Sequence, residues 1–431
     1  MPKIYTLGGR KLEGEIRVSG SKNAALAILA ASLLPQQGRT VLHNVPRISD
    51  VVTMLDMLRH LGLKADFVGD GVVEIDASTL NSYEAPYELI KKMRASFSVL
   101  GPILARFGRA RVALPGGCDI GARPVDYHIK GLERLGAVTT VEHGFVNATA
   151  PNGLRGADIH LEFPSVGATT HLMTAAALAD GISTISNAAQ EPDVVSTANL
   201  INAMGGHVRG AGEKEIVIEG VPQLHGADYH VDADRIEAGT FACAAAITHG
   251  DLYLRGAVEH HMHAVTQKLA EIGCEISRDD DGLRVRVPKG RILVGTTIQA
   301  SPHPGFPTDM QPLMAAVLTL AQGTSMITET VYERRFKYID EMARMGADIK
   351  NEGNAALIVG VPRLTGAPVA GSDLRASAAL VIAGLAAEGQ SEISGMQYLD
   401  RGYEKFVEKL SGVGANIRRD DASVELTEQV V

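Results

Sequence analysis

Two kinds of apolar pattern alternate along this chain, and the alternation recurs. The first is Ala-rich and apolar around most of a helical circumference: "SKNAALAILAASLL", "MRASFSVLGPILARFG", "SVGATTHLMTAAALA", "IEAGTFACAAAI", "TDMQPLMAAVLTLA" and "LRASAALVIAGLAA". Small side chains on every face predict buried, closely packed helices. The second is amphipathic, with apolar residues at helical spacing, as in "DVVTMLDMLRHLG" and "YEKFVEKLSGVG". Between them lies a short strand such as "TVLHNV", "STISNA" or "SEISGM". After the second helix come two more strands, as in "ADFVG" and "VVEIDA".

The second helix of each copy ends on a hydrophobic residue and a glycine: Gly62, Gly136, Gly205, Gly273, Gly346 and Gly414. Their spacing of about 70 residues is long for a solenoid and natural for a small α/β unit. A closing strand, as in "ADIHLEF", "ADYHVDA" and "TTIQAS", runs into the next Ala-rich helix. The fold class is therefore α/β (α+β), with six repeated α-β-α-β-β-β units. "GEIRVSG" precedes the first helix, whereas the sixth unit ends at "SVELTEQVV" without a closing strand. Residues 1–21 are thus expected to complete the last sheet. The expected division is residues 22–232 against residues 1–21 plus 233–431, three units each. The chain would cross near Gly20–Lys22 and Val231–Asp234, with the active site in the interdomain cleft.

Composition narrows the function classes. A formal net charge of −9 argues against a general nucleic-acid binder. Three scattered cysteines, Cys118, Cys243 and Cys274, do not make a disulfide framework and fit a reducing compartment. The longest purely apolar runs, such as "AALVIAGLAA", fall short of the roughly 20 residues a bilayer requires. "MPKIYTLGGRKLEGEIRV" has no apolar core of signal-peptide length. The expectation is a soluble, cytoplasmic protein without membrane contact.

Candidate chemistry gathers at the starts of the Ala-rich helices and in the loops after the next strands. The helix starts hold Lys22 and Asn23, Arg94, Ser165 to Gly167, Glu237, Asp309 and Arg375; the loops hold Cys118 with Arg123, Arg335 and Arg401. Helix N-termini favour anions, so this many cations at equivalent positions imply an anionic substrate. Asp309 in "FPTDMQPLMAAV" is either a helix cap or a catalytic carboxylate. Cys118 sits in "LPGGCDIGARPVD", where it is either a buried inert thiol or an exposed one activated by Arg123. Cys243 and Cys274 look like core residues. "EHHMHAV" lacks the HExxH spacing of a zinc site, so no metal is expected.

"SGSKNAAL", "LPGGCDIGARPVD", "FPSVGATT", "DRIEAGTF", "FPTDMQ", "ITETVYERRF", "DLRASAAL" and "LDRGYEK" together resemble the enolpyruvyl transferases, in the branch that uses UDP-N-acetylglucosamine. The resemblance runs in order from Lys22 into the last unit. It implies a two-domain inside-out α/β barrel of the EPSP synthase-like fold. It also implies transfer of the enolpyruvyl group of phosphoenolpyruvate to the 3-hydroxyl of UDP-N-acetylglucosamine with release of phosphate, at the first committed step of peptidoglycan synthesis.

What the resemblance implies for single residues is specific. Cys118 is the acid, can carry a covalent phosphoenolpyruvate adduct, and is captured by the epoxide fosfomycin. Asp309 stands at the sugar hydroxyl. Lys22, Asn23, Arg123, Arg335, Arg375 and Arg401 surround phosphoenolpyruvate. Asn23, Arg94, Arg123, Pro124, Val125, Asp126, Tyr127, Phe163, Pro164, Ser165, Val166, Asp309 and Val331 line the nucleotide-sugar site. No cofactor is implied, and the partners are the two small-molecule substrates, with no nucleic acid and no membrane. The loop around Cys118 is implied to close and exclude water.

Two residues depart from the family pattern. Phe163 replaces a lysine found in some members, and Tyr398 a histidine found in many. Both bear on binding rather than on the acid and base. The nearest rival activity is transfer to shikimate 3-phosphate, against which "GGCDIGARP" and "SVGAT" speak. A non-enzymatic ring such as a sliding clamp would need a basic, helix-lined hole, whereas these helices are Ala-rich.

Overall fold

The computed structural model describes residues 2–115 and 125–420. They fall into two compact units, one running from Gly20 to Asp232, the other joining the residues up to Ser19 to those from Ala233 onward.

Each unit carries three four-stranded sheets built on one plan. In the first unit the orders are Asp228–His230, Arg39–His43, Val72–Asp76, Lys64–Gly69; then Glu84–Ala85, Arg109–Ala113, Phe145–Thr149, Val138–Glu142; then Asp158–His160, Ile182–Ser186, Glu215–Glu219, His207–Arg209. The first pair in each order is parallel and the other two are antiparallel. Each closing strand therefore joins the sheet of the next repeat. A strand, a helix and a parallel strand form a crossover unit, so the Ala-rich helix is the crossover and lies against the sheet it connects. The third closing strand, Asp228–His230, returns to the first sheet and closes the ring of three.

The second unit repeats this plan with the chain cut at a different place. Its sheets are Glu13–Arg17, Asp251–Arg255, Gly282–Arg286, Glu275–Arg278; then Thr297–Ala300, Thr324–Glu329, Ala355–Val359, Asp348–Glu352; then Pro368–Ala370, Gln390–Ser394, Lys3–Leu7, Asn416–Asp420. The N-terminal residues thus do more than close the last sheet. Lys3–Leu7 is its inner strand, antiparallel to both Gln390–Ser394 and Asn416–Asp420. Glu13–Arg17 is instead the parallel edge of the fourth sheet. The break in the cyclic repeat falls between the two strands of a hairpin, and the N-terminal segment supplies both the second hairpin strand and the closing strand. "SVELTEQVV" lies outside the described residues.

The Ala-rich helices form the interior. Arg235–Ile247, Gln311–Leu318 and Leu374–Ala386 pack pairwise on one another and are buried along nearly their whole length. Gly239 permits the close approach: a Cβ there would stand 2.6 Å from Met310 Sδ. Cys243 is fully buried in this core, and Cys274 is also buried. Burial raises both thiols, Cys274 to about 12, which leaves them protonated and inert.

Four of the six interior helices begin on a side-chain cap: Ser21, Ser165, Asp234 and Asp373 accept from first-turn amides. The other two, expected as continuous helices, enter through 3-10 turns at Arg94–Val99 and Thr308–Met310. Pro102 and Pro312 stand in the first turn of the α-helical parts, Leu100–Phe107 and Gln311–Leu318. A proline has no N–H to donate back and clashes with the preceding turn, so the α ladder starts there. The six repeat glycines all have positive φ, between 87° and 121°. That left-handed turn ends each second helix, and a side chain there would be strained.

Candidate functional site

Asp309 lies in the 3-10 turn Thr308–Met310 that opens helix Gln311–Leu318. The residues before the turn and the helix, Pro307 and Met310, supply no side-chain cap. Asp309 Oδ1 stands 2.8 Å from Arg335 Nη2, and Oδ2 stands 3.0 Å from Arg375 Nη2. The two arginine side chains are 4% and 3% exposed, against 22% for Asp309. Two buried guanidinium groups therefore grip one partly open carboxylate. Such charge-assisted bonds are the strong class of hydrogen bond.

Each arginine is itself held. Arg335 Nη1 donates to Thr308 Oγ1 at 3.0 Å, and Thr308 donates its proton to Glu329 Oε2 at 2.7 Å. The other Glu329 oxygen accepts the amides of Val331 and Tyr332 at 2.7 and 3.2 Å. This buried carboxylate thus fixes the turn after strand Thr324–Glu329 and, through Thr308, the guanidinium of Arg335. On the other side, Arg375 Nη1 donates to Tyr403 Oη at 3.1 Å. Thr240 spends its only proton on the carbonyl of Ile236 at 2.7 Å. Tyr403 must therefore be the donor in its 2.8 Å bond to Thr240. Tyr403, Thr240, Thr308 and Glu329 were not singled out from the sequence. Their only signal there is a polar residue interrupting an otherwise apolar helix or strand end.

Among the remaining cations of this unit, Arg401 is half-buried just beyond the short helix Met396–Leu399, next to the half-buried Tyr398. Val331 is half-buried in the turn held by Glu329. Glu237 stands in the first turn of helix Arg235–Ile247, as expected, and is buried there: Asp234 is the cap, and Glu237 pairs with Lys409. Burial outweighs the Lys409 charge and pushes the Glu237 carboxyl up to about 7.

In the unit from Gly20 to Asp232, Lys22 is the first residue of helix Lys22–Ala31, whose cap is Ser21. Its Nζ lies 3.0 Å from Asp50, a buried carboxylate at the start of Ser49–His60. The expected cation is thus oriented by an acidic partner. Asn23 is half-buried beside it, and Arg94 begins its 3-10 turn, also half-buried. Ser165 caps helix Val166–Ala176 with a 3.3 Å bond from Ala168, and Phe163, Pro164 and Val166 flank it, half-buried. Val125 and Tyr127 are half-buried and Asp126 exposed, at the start of helix Asp126–Arg134. Cys118, Arg123 and Pro124 lie outside the described residues.

His263, the last histidine of the run, is hydrogen-bonded to a carboxylate. Glu259 accepts from His263 Nδ1 at 2.7 Å, from Thr266 at 2.9 Å and from Arg278 at 2.7 Å. Among the described residues no group of three or more His, Cys, Asp or Glu side chains is arranged to hold a metal ion.

Known proteins share this architecture. The family model described as EPSP synthase (3-phosphoshikimate 1-carboxyvinyltransferase) matches residues 7–410. The UDP-N-acetylglucosamine 1-carboxyvinyltransferase of Gloeobacter violaceus is 51% identical over 418 residues, spanning 97% of this chain and 90% of that protein. The enolpyruvyl transferase NikO of Streptomyces tendae superposes with a TM-score of 0.87 at 25% identity, covering 97% of this chain and 98% of its own. An EPSP synthase from Acinetobacter baumannii shares the fold at 20% identity, with a TM-score of 0.75 over 98% of this chain and 100% of its own.

Proposed function

The chain belongs to the EPSP synthase family of enolpyruvyl transferases, and we propose that within it this protein uses UDP-N-acetylglucosamine as the acceptor. The reaction transfers the enolpyruvyl group of phosphoenolpyruvate to the sugar 3-hydroxyl and releases phosphate, at the first committed step of peptidoglycan synthesis. The observation favouring this acceptor over shikimate 3-phosphate is the 51% identity along 97% of the chain to an enzyme named for the nucleotide sugar.

The chemistry needs an acid, a base and anion-binding cations. Protonation at the methylene carbon of phosphoenolpyruvate makes its neighbouring carbon electrophilic, and the sugar hydroxyl attacks there as its proton is withdrawn. The tetrahedral adduct then expels phosphate and loses a methyl proton, restoring the enol ether. Cys118 is assigned as the acid and Asp309 as the group at the sugar hydroxyl. Lys22, Arg123, Arg335, Arg375 and Arg401 are assigned to the phosphate and carboxylate, where fixed positive charge stabilises the adduct.

Asp309 carries this reading furthest. With both oxygens on guanidinium groups, the carboxylate is held in place, and an anionic substrate would compete with it for the arginines. Binding phosphoenolpyruvate would therefore draw positive charge off Asp309 as the sugar hydroxyl arrives. No metal or cofactor is assigned. No helix among the described residues is long and apolar enough to cross a membrane, and the assigned site is cytoplasmic, where nucleotide sugars are made. No nucleic-acid partner is assigned. The test is phosphate release from phosphoenolpyruvate with each acceptor in turn. Release that depends on UDP-N-acetylglucosamine supports the reading, and release that depends on shikimate 3-phosphate alone refutes it.

A further inference from the structure

Two histidines stand outside the roles assigned above. His128 lies in helix Asp126–Arg134 and His171 in helix Val166–Ala176. Their Nδ1 atoms are 3.0 Å apart, and Phe97 packs on both rings. The backbone N–H of Gly101 donates to His171 Nε2 at 2.6 Å. A backbone amide can only donate, so His171 Nε2 carries no proton.

Both rings are neutral. Burial, aided by the charge of Arg94, lowers His128 to about 3, and burial takes His171 well below its ordinary value. The single proton of His171 is therefore on Nδ1, where it is donated to His128 Nδ1. That leaves the proton of His128 on Nε2. One backbone amide dictates both tautomers, a second-partner effect familiar from histidines held at one nitrogen. Gly101 is required for the approach, since a Cβ there would stand 2.9 Å from His171 Cδ2, Nε2 and its carbonyl oxygen.

The free edge of His128 faces the start of helix Val166–Ala176. A Cβ on Gly167 would lie 3.6 Å from His128 Cε1 and 3.7 Å from Nε2. Among the described residues Nε2–H has no acceptor. It stands beside the amide end of an 11-residue helix already capped by Ser165, and that end favours negative charge.

We propose that His128, locked as its Nε2–H tautomer by Gly101 and His171, donates a hydrogen bond to a diphosphate oxygen of the nucleotide sugar. His128 is then a substrate-binding residue, and His171 and Gly101 are positioning residues. This rests on the acceptor proposed above.

The test uses the full chain with 15N-labelled histidine. The expected NMR signature is Nε2–H for His128 and Nδ1–H for His171, with the His128 proton shifting when UDP-N-acetylglucosamine or UDP is added. Calorimetry should find His128→Phe binding both ligands about tenfold more weakly, the cost expected for a bond to a charged acceptor, with uridine unchanged. The KM for the nucleotide sugar should rise while kcat and the KM for phosphoenolpyruvate hold. His128→Gln, which keeps an N–H donor, should recover part of the loss. An Nδ1–H tautomer in His128 overturns the proposal, as does unaltered UDP binding or an equal loss for uridine. The tautomers and UDP affinity are read without turnover, so their failure is distinct from failure of the acceptor assignment. Should His128→Phe not fold, the native tautomers and His128→Gln carry the test.

Discussion

Nη2 of Arg375 lies 3.0 Å from Oδ2 of Asp309, and the side chain of Tyr403 holds the same guanidinium at Nη1. The same carboxylate takes Arg335 on its other oxygen, so Asp309 is the hub of two positive groups as well as the assigned base. Replacing it with Asn should lower kcat at least a hundredfold, as loss of a general base does. It should also cost about 2–3 kcal/mol of stability, because two buried guanidinium groups lose their counter-charge. Steady-state kinetics and urea denaturation of Asp309→Asn check both.

Tyr403→Phe isolates the second tier of this network. The ring still packs against Phe406, while Arg375 loses an acceptor and Thr240 a donor. The variant should fold, lose about 1–3 kcal/mol in denaturation, and turn over more slowly. Thr240→Val should reproduce the smaller part of that effect, since Arg375 keeps its bond to Tyr403.

The assignment of Cys118 as proton donor makes a chemical demand. Cys118→Ala should lose most turnover, whereas Cys118→Asp should keep some, because a carboxylic acid still donates a proton. The Asp variant should also survive fosfomycin, which alkylates the thiol. Phosphate-release assays before and after exposure to the epoxide measure both effects, and full activity in Cys118→Ala removes the assignment.

The repeat was legible because its marks are dictated by backbone geometry. A helix ending on a left-handed residue demands glycine, so Gly62, Gly136, Gly205, Gly273, Gly346 and Gly414 display the period directly. Buried Ala-rich helices are equally plain, since only small side chains let them meet. The placement of Lys3–Leu7 was not legible, because either end of a cut cyclic repeat can supply the missing strand. The 3-10 entries at Arg94 and Thr308 escaped because proline is tolerated in a first turn and does not announce which turn is first. Charged site residues stand out at equivalent positions. Their holders, Glu329, Thr308, Thr240 and Tyr403, are single polar groups whose partners are distant in sequence.

Glu237 adds a pH dependence to stability. Its folded carboxyl titrates at about 7 against an unfolded value of 4.5. The folded state therefore binds the proton more tightly. The group's contribution is fully present below pH 4.5 and is lost as pH rises through 7. The loss is about 3 kcal/mol, at about 1.4 kcal/mol per unit. Glu237→Gln should flatten that part of the stability–pH curve, as followed by urea denaturation from pH 4.5 to 8. Lys409→Met should steepen it, since the lysine opposes the rise.

The central claim is the acceptor, and one assay addresses it most directly. Purified protein is given phosphoenolpyruvate with either UDP-N-acetylglucosamine or shikimate 3-phosphate, and free phosphate is followed over time. Release is expected only with the nucleotide sugar, and fosfomycin should abolish it. Release only with shikimate 3-phosphate, or release from neither, would contradict the assignment.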